Sequence, residues 1–304
     1  MRLDRHLRAV GEALFVTFLW STSWVLIKQG LQEIPALTFA GLRYTIATLA
    51  LLPWLWKKRR EVKTLTRRQW LELVALGLVF YALTQGGQFL TLQHLNAIPF
   101  SLILSFTPLL VAGIGTITLR ERPTRTQWAG LGIALAGAAL YFAPSDALRG
   151  AGIGFALAGM TLAANTASSL LGRAVNRRQT VSPWTVTTIS MGIGGLCLLV
   201  SGTAVQGLPA ISARGWGIIL WLAVINTAAA FTLWNHTLRS LSATESSAIN
   251  NTMLVQIAVL AWIFLGETLT VVEIVGLAAV ACGTLLVQLR RNRDSGLVKL
   301  DANR

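Results

Sequence analysis

Apolar residues run through this chain in blocks of about twenty, the length a helix needs to cross the hydrocarbon of a bilayer, and short polar joints separate them. The pattern predicts ten helical spans. The first five lie at Val10–Gly30, Ala36–Trp56, Gln69–Leu92, Ala97–Leu119 and Thr126–Phe142. The second five lie at Ala151–Arg173, Pro183–Val205, Ala213–Leu238, Ala243–Phe264 and Val271–Leu289. The joints carry residues that start or stop helices: Pro35 ahead of the second span, Pro123 after the fourth, Ser182-Pro183 at the head of the seventh.

The pattern also repeats. Leu95 to Leu140 returns 146 residues later as Leu241 to Leu286, with Leu95, Ala97, Ser101, Ile103, Leu119, Glu121, Gly130, Leu131, Gly137 and Leu140 all meeting identical residues. A fainter echo aligns Ser23 and Gly30 with Asn165 and Gly172 at an offset of 142. The turn Leu119-Arg120-Glu121-Arg122 keeps its glutamate in Leu265-Gly266-Glu267-Thr268, yet its arginines are gone. Arginine accumulates on the cytoplasmic side of a membrane, so the two copies are expected on opposite sides. A unit of five spans is odd, and its duplicate is therefore inverted. The expected organisation is a first repeat over 1–145 and a second, inverted one over 146–304 with a short basic tail. Inverted repeats of this kind hold substrate near the bilayer midplane and move it by alternating access.

Composition closes off other classes. Of 304 residues 54% are hydrophobic and only 12% charged, with a mean hydropathy of +0.60, which leaves no room for a separate soluble domain. A net charge of +14 is high, but its residues sit in short loops, where lipid headgroups and orientation explain them better than nucleic acid does. Lys57, Lys58, Arg59, Arg60, Lys63, Arg67 and Arg68 fill one loop, and Arg173, Arg177, Arg178, Arg290, Arg291 and Arg293 follow the sixth and tenth spans. The alternate loops hold only Lys28, Arg149 and Arg214, which places both termini in the cytoplasm of a bacterial inner membrane. Cys197 and Cys282 lie inside apolar blocks and read as small packing residues. The first block is expected to act as an uncleaved first span.

Polar side chains at membrane depth are the candidates for chemistry. Tyr81, Thr84, Gln85 and Gln88 recur at i, i+3, i+4 and i+7, one face of an α-helix, and face either a wet cavity or hydrogen-bonding neighbours; the cavity is preferred. On the first span Trp20, Ser23 and Trp24 share a face deeper than the interface where tryptophan usually sits, as a stacking wall or as packing. Ser105, Asn165, Ser168, Asn226, Trp234, Asn250 and Asn251 complete the candidate cavity. Asn250 and Asn251 point about 100° apart, so one of them faces substrate. Lys28 near the outer mouth reads as an interface anchor. Glu121 and Glu267 suggest helix-end bonding or a gate lock rather than substrate contact. Gly130, Gly132, Gly137, Gly276 and Gly283 favour close helix packing within a monomer over an oligomer contact.

The run Ile34-Pro35-Ala36-Leu37-Thr38-Phe39-Ala40-Gly41-Leu42-Arg43-Tyr44, the Pro108-containing fourth span ending at Leu119–Arg122, and the Leu265-Gly266-Glu267 turn with Gly276 and Gly283 resemble the drug/metabolite transporter superfamily, in its ten-helix EamA-type branch. The resemblance implies an inverted five-plus-five fold with a central cavity lined by spans one, three, four, six, eight and nine. It also implies a structural role for Arg43. General similarity is greatest to the aromatic amino acid exporters. Leu254 stands where the second half of the family usually has a proline, so a gating bend at Pro108 lacks its twin. Trp20 stands where four-helix relatives carry a membrane glutamate, which removes that route to proton exchange.

No phosphate-binding loop and no metal-ligand cluster among His6, His94 and His236 is present, so no cofactor is expected. An intramembrane enzyme would need a base near Ser101, Ser105 or Ser168, and no histidine lies at their depth. The sequence thus reads as a transporter rather than an enzyme: an exporter of neutral or zwitterionic amphipathic small molecules, aromatic amino acids first, amphipathic drugs or other metabolites second. Permanent cations and phosphorylated solutes are disfavoured.

Overall fold

In hydrocarbon an unpaired backbone N–H or C=O costs several kcal/mol, so a chain this apolar has to satisfy its peptide groups within each segment. The computed structural model, which describes residues 2–107, 109–111, 113–114, 125–142, 152–177, 181–237 and 243–289, does so by helix alone, with no strand among the described residues. The helices are α1 (Arg2–Gly30), α2 (Ala36–Lys57), the short loop helix α3 (Arg59–Lys63) and α4 (Arg67–Leu76). α4 runs on through a π-helical segment, π1 (Gly77–Gln85), into α5 (Gly86–His94). Then come α6 (Ala97–Leu104), α7 (Arg125–Phe142), α8 (Gly152–Arg177) and α9 (Pro183–Gln206). α10 (Ala213–Ala223) continues through π2 (Val224–Ala229) into α11 (Ala230–Thr237), and α12 (Ala243–Leu265) and α13 (Val271–Leu289) close the chain. Among the described residues five helices are long and apolar enough to cross a bilayer, and five shorter apolar ones accompany them. The protein is an all-α, polytopic membrane protein.

The helices gather into two compact units that cut across the repeats. One comprises Met1–Ser21, Ala97–Gly152 and Leu233–Arg304; the other comprises Thr22–Asn96 and Ile153–Thr232. Each is built on one tight pair of helices joining equivalent spans of the two repeats. In the second unit α2 lies on α9: Thr38 meets Gly202, Gly41 meets Leu199, Tyr44 meets Gly195 and Thr48 meets Gly192. Numbers rise on one helix as they fall on the other, so the pair is antiparallel. In the first unit α7 and α13 do the same, with Gly130 and Ala134 at Gly283 and with Gly137 and Tyr141 at Gly276. Equivalent spans that run antiparallel are what an upside-down duplicate requires.

Carboxylates and amides fasten helix ends within each unit. In the second unit the Glu61 carboxylate, on α3, takes the backbone N–H and hydroxyl of Ser182 and the hydroxyl of Thr185 at the head of α9. Glu33 accepts from Ser212 Oγ at 3.0 Å, ahead of α10, and Gln206 Oε1 accepts from Leu37 N at 2.8 Å at the head of α2. Lys28 works at the opposite kind of end, donating Nζ to the carbonyls of Leu92 (2.7 Å) and Leu95 (2.9 Å), where α5 stops.

Burial pushes the Glu61 carboxyl up, but the donors of Ser182 and Thr185 and the nearby charge of Lys58 outweigh it and hold the group below its ordinary value. A lowered folded-state value means that the stabilisation is complete above the unfolded carboxyl's range and is lost as pH falls through the folded value. Thermal midpoints in detergent should therefore fall below about pH 4 more steeply in the wild type than in Glu61→Gln. At neutral pH the variant should be less stable by about 1 kcal/mol, the usual worth of a helix cap.

Two expectations need correction. Cys197 and Cys282 are free thiols and form no disulfide with each other, but both are exposed rather than packed in the interior. Among the described residues nothing lies within 4 Å of where a Cβ at Gly132 would stand, so it takes no part in the glycine contacts of α7 given above.

Candidate functional site

Two π-helical segments, one in each long composite span, frame the polar centre of the second unit. A π turn inserts a residue and leaves carbonyls imperfectly bonded, which in a membrane has to be repaired by side chains. A threonine does this in both. Thr84 Oγ1 donates to Val79 O at 2.9 Å and Thr227 Oγ1 donates to Leu222 O at 2.8 Å, each to the carbonyl five residues back. The two threonines stand 143 residues apart, so the device belongs to both repeats.

Between them comes the dipeptide Arg43-Tyr44 of α2. Tyr44 donates its hydroxyl to Gln85 Oε1 at 2.6 Å, at the end of π1, and its ring meets that of Tyr81 edge-on at 5.6 Å. Arg43 is 5% exposed; its Nε donates to Thr227 Oγ1 in π2 at 3.0 Å. Its guanidinium carbon lies 5.2 Å from the Tyr44 ring centre and 5.9 Å from that of Phe89. Asn226, fully buried in π2, donates Nδ2 to Ser23 Oγ at 2.8 Å and to Thr22 Oγ1 at 3.0 Å on α1. The result is a cluster of hydroxyls, amides, aromatic rings and one guanidinium drawn from α1, α2, π1, α5 and π2.

The first unit holds a smaller polar cluster. Gln256 of α12 faces α1, with Oε1 3.0 Å from Ser21 Oγ and Nε2 donating to Thr17 Oγ1 (3.3 Å) and Thr252 Oγ1 (3.0 Å). Trp20 and Trp234 meet there with ring centres 5.2 Å apart and planes tilted by 51°.

Residues 8–143 and 150–289 each match the EamA-like transporter family. The chain belongs to that family. Among its relatives is the S-adenosylmethionine/S-adenosylhomocysteine transporter of Chlamydia trachomatis, 26% identical over 83% of this chain and 80% of that protein. The uncharacterized transporter YoaV of Bacillus subtilis is 23% identical over 89% and 93% respectively. One solved crystal structure, 16% identical, matches with a TM-score of 0.65 over 95% of this chain and 99% of that one, which shows the shared fold.

Within this EamA-type protein the residues singled out in the sequence fall into groups. Ser23, Tyr81, Gln85 and Asn226 belong to the second-unit cluster, and Trp20 and Trp234 to the first. Trp24 is buried on α1, and Gln88 is half-buried on α5. Thr84, Ser105 and Ser168 turn their hydroxyls back to carbonyls of their own segments, Ser105 to Leu102 and Ser168 to Asn165. The single α-helical face expected for Tyr81 to Gln88 does not hold, because residues up to Gln85 follow the wider π turn. Asn165 is half-buried and Asn250 is exposed, while the side chain of Asn251 lies outside the described residues. Pro108 and Glu121 also lie outside them. Sequence reasoning passed over Thr22, Tyr44, Thr227 and Gln256. No sequence signal pointed to the π segments: the repeat offsets of 142 and 146 bring Thr84 onto Asn226 and Ala230, not onto Thr227.

Proposed function

We propose that this EamA-type transporter exports small zwitterionic solutes bearing a planar ring, with aromatic amino acids the first candidates. It would do so from the bacterial inner membrane, with both termini cytoplasmic, as two inverted repeats working by alternating access. The observation that carries the reading is the cluster between the π segments. Uncharged amides and hydroxyls there stand beside the aromatic faces of Tyr44, Tyr81 and Phe89, which suits a ring joined to a polar head. π segments in membrane helices are frequent at functional sites because their loosened hydrogen bonds let the helix bend and line a wet space.

A second reading draws on the chlamydial relative named for S-adenosylmethionine and S-adenosylhomocysteine. Both compounds carry an amino-acid head and a planar ring, and of the two S-adenosylhomocysteine fits better, because it lacks the permanent sulfonium charge that membrane burial disfavours.

Purified protein in liposomes should move labelled phenylalanine or tryptophan. Gln85→Ala should lower the flux about fivefold, the worth of one lost hydrogen bond of about 1 kcal/mol, and Trp24→Ala by a similar factor. Unchanged flux in both variants would discard the site. Movement of S-adenosylhomocysteine with neither amino acid moved would select the second reading. Repeating the assay with an imposed pH gradient separates facilitated movement, which is insensitive to it, from proton coupling.

A further inference from the structure

Arg43 is a cation in the membrane interior that no carboxylate among the described residues offsets. It sits seven residues into α2, about 10 Å along the helix from Ala36, and is 5% exposed. Only Nε is used, by Thr227; the two terminal nitrogens have no hydrogen-bonding partner among the described residues. No ion pair among the described residues includes it either. A guanidinium held away from water without an anion is costly, and structural arginines at this depth are normally paired with acids or carbonyls. Here the side chain is instead held in place by its flanks: Nε is tied to π2, and the guanidinium carbon lies over the rings of Tyr44 and Phe89. That leaves the forked end, the part of arginine that grips a carboxylate by two parallel hydrogen bonds, unspent.

We infer that Arg43 is the receptor for the carboxylate of the transported solute, so that the carriers' preferred substrates are carboxylate-bearing amphipaths and not amines, esters or amides of the same ring. This rests on, and narrows, the transport reading above. It also reassigns Arg43 from a structural role to a specificity-determining one. The ring systems of Tyr44, Tyr81 and Phe89 would then lie beside the solute's ring while Tyr44, through Gln85, couples the same site to π1.

The test is thermal unfolding of the full chain in detergent, with ligands that share one ring. L-phenylalanine, N-acetyl-L-phenylalanine and 3-phenylpropanoate carry a carboxylate; L-phenylalaninamide and phenethylamine do not. The three acids should raise the wild-type midpoint, and the amide and the amine should not. Arg43→Gln, freed of an unpaired buried charge, should be as stable as the wild type without ligand or more so. It should bind the acids at least ~10-fold more weakly. Arg43→Lys keeps the charge but loses the fork and should also weaken binding about tenfold, and it carries the comparison alone if the glutamine variant is not recovered. The inference is overturned if acids and amide act alike, if none of the panel shifts the midpoint, if chloride or sulfate reproduces the acids' effect, or if Arg43→Gln binds acids as the wild type does. Counterflow in liposomes on the same samples separates the two readings. Arg43-dependent binding of the acids without flux keeps the receptor and removes transport of these solutes. Phenylalanine flux unchanged in Arg43→Gln keeps transport and removes the receptor.

Discussion

Gly41→Leu should leave no recoverable folded protein, whereas Gly132→Leu should express and unfold like the wild type. Both glycines lie inside helices of similar apolar character, past the first turn, so propensity does not distinguish them. Space does. A Cβ at position 41 would collide with the Cα and the N of Leu199 and stand 2.8 Å from the carbonyl carbon of Leu198. Those are backbone atoms of α9, which cannot swing aside as a side chain can. A leucine there has to push the two helices apart along the seam that Gly195 and Gly202 also form. Overpacking a core costs about 1–3 kcal/mol when side chains give way, and more when backbone has to move. In a membrane, helix association depends on close packing rather than on exclusion of water, so a separated pair recovers little. Thermal midpoints of the two variants and of the wild type, with monodispersity on size exclusion, check the prediction; a Gly41→Leu protein of wild-type midpoint would show that the seam is not this tight.

That seam marks the limit of what could be read from the sequence. The spans themselves were legible because hydrocarbon thickness fixes the length of every apolar block and leaves helix as the answer. Ser182-Pro183 and Pro35 marked helix starts for the same local reason, and Ser182 does cap α9. The internal repeat was legible because duplication leaves identities behind, Glu121 with Glu267 and Gly137 with Gly283 among them. Helix pairing was not. Gly41, Gly194, Gly195 and Gly202 look like any other membrane glycines until the partner backbone is known, whereas Gly132 looked like a packing residue and meets nothing among the described residues.

The site divides the same way. Gln85 and Asn226 stood out because an amide in lipid needs a partner, and both have one. Thr227 did not stand out, since its hydroxyl serves a π carbonyl and an arginine 184 residues away, neither of which periodicity reveals. Arg43 was visible as a charge at depth, but whether such a charge is paired is a question about space, and the resemblance to a family answered it only by analogy.

Glu267→Ala should destabilise the protein by about 3 kcal/mol, the second large effect expected. Gly266, at φ 67°, is in the left-handed region that glycine adopts freely, and it ends α12 by letting Glu267 N–H reach back to Ala261 O at 3.3 Å. The turn delivers the Glu267 carboxylate, 8% exposed, to the head of α6. One oxygen accepts from Ala97 N at 2.7 Å and the other from Ile98 N at 3.0 Å. The next residue, Pro99, has no N–H to satisfy, so a single side chain and a proline settle the first turn of the helix. Ala97 and Ile98 are at most 1% exposed, and removing the carboxylate strands both donors where water does not replace it. Each stranded group costs about 1–3 kcal/mol, and hydrogen bonds to a charged acceptor lie at the upper end. Glu267→Gln keeps one acceptor oxygen and turns an NH2 towards the second donor, so its midpoint should fall between those of the wild type and Glu267→Ala. Chemical denaturation in mixed micelles would order the three; a glutamine variant as unstable as the alanine one would mean that charge at the helix head, not the pair of bonds, is what holds α6 in place.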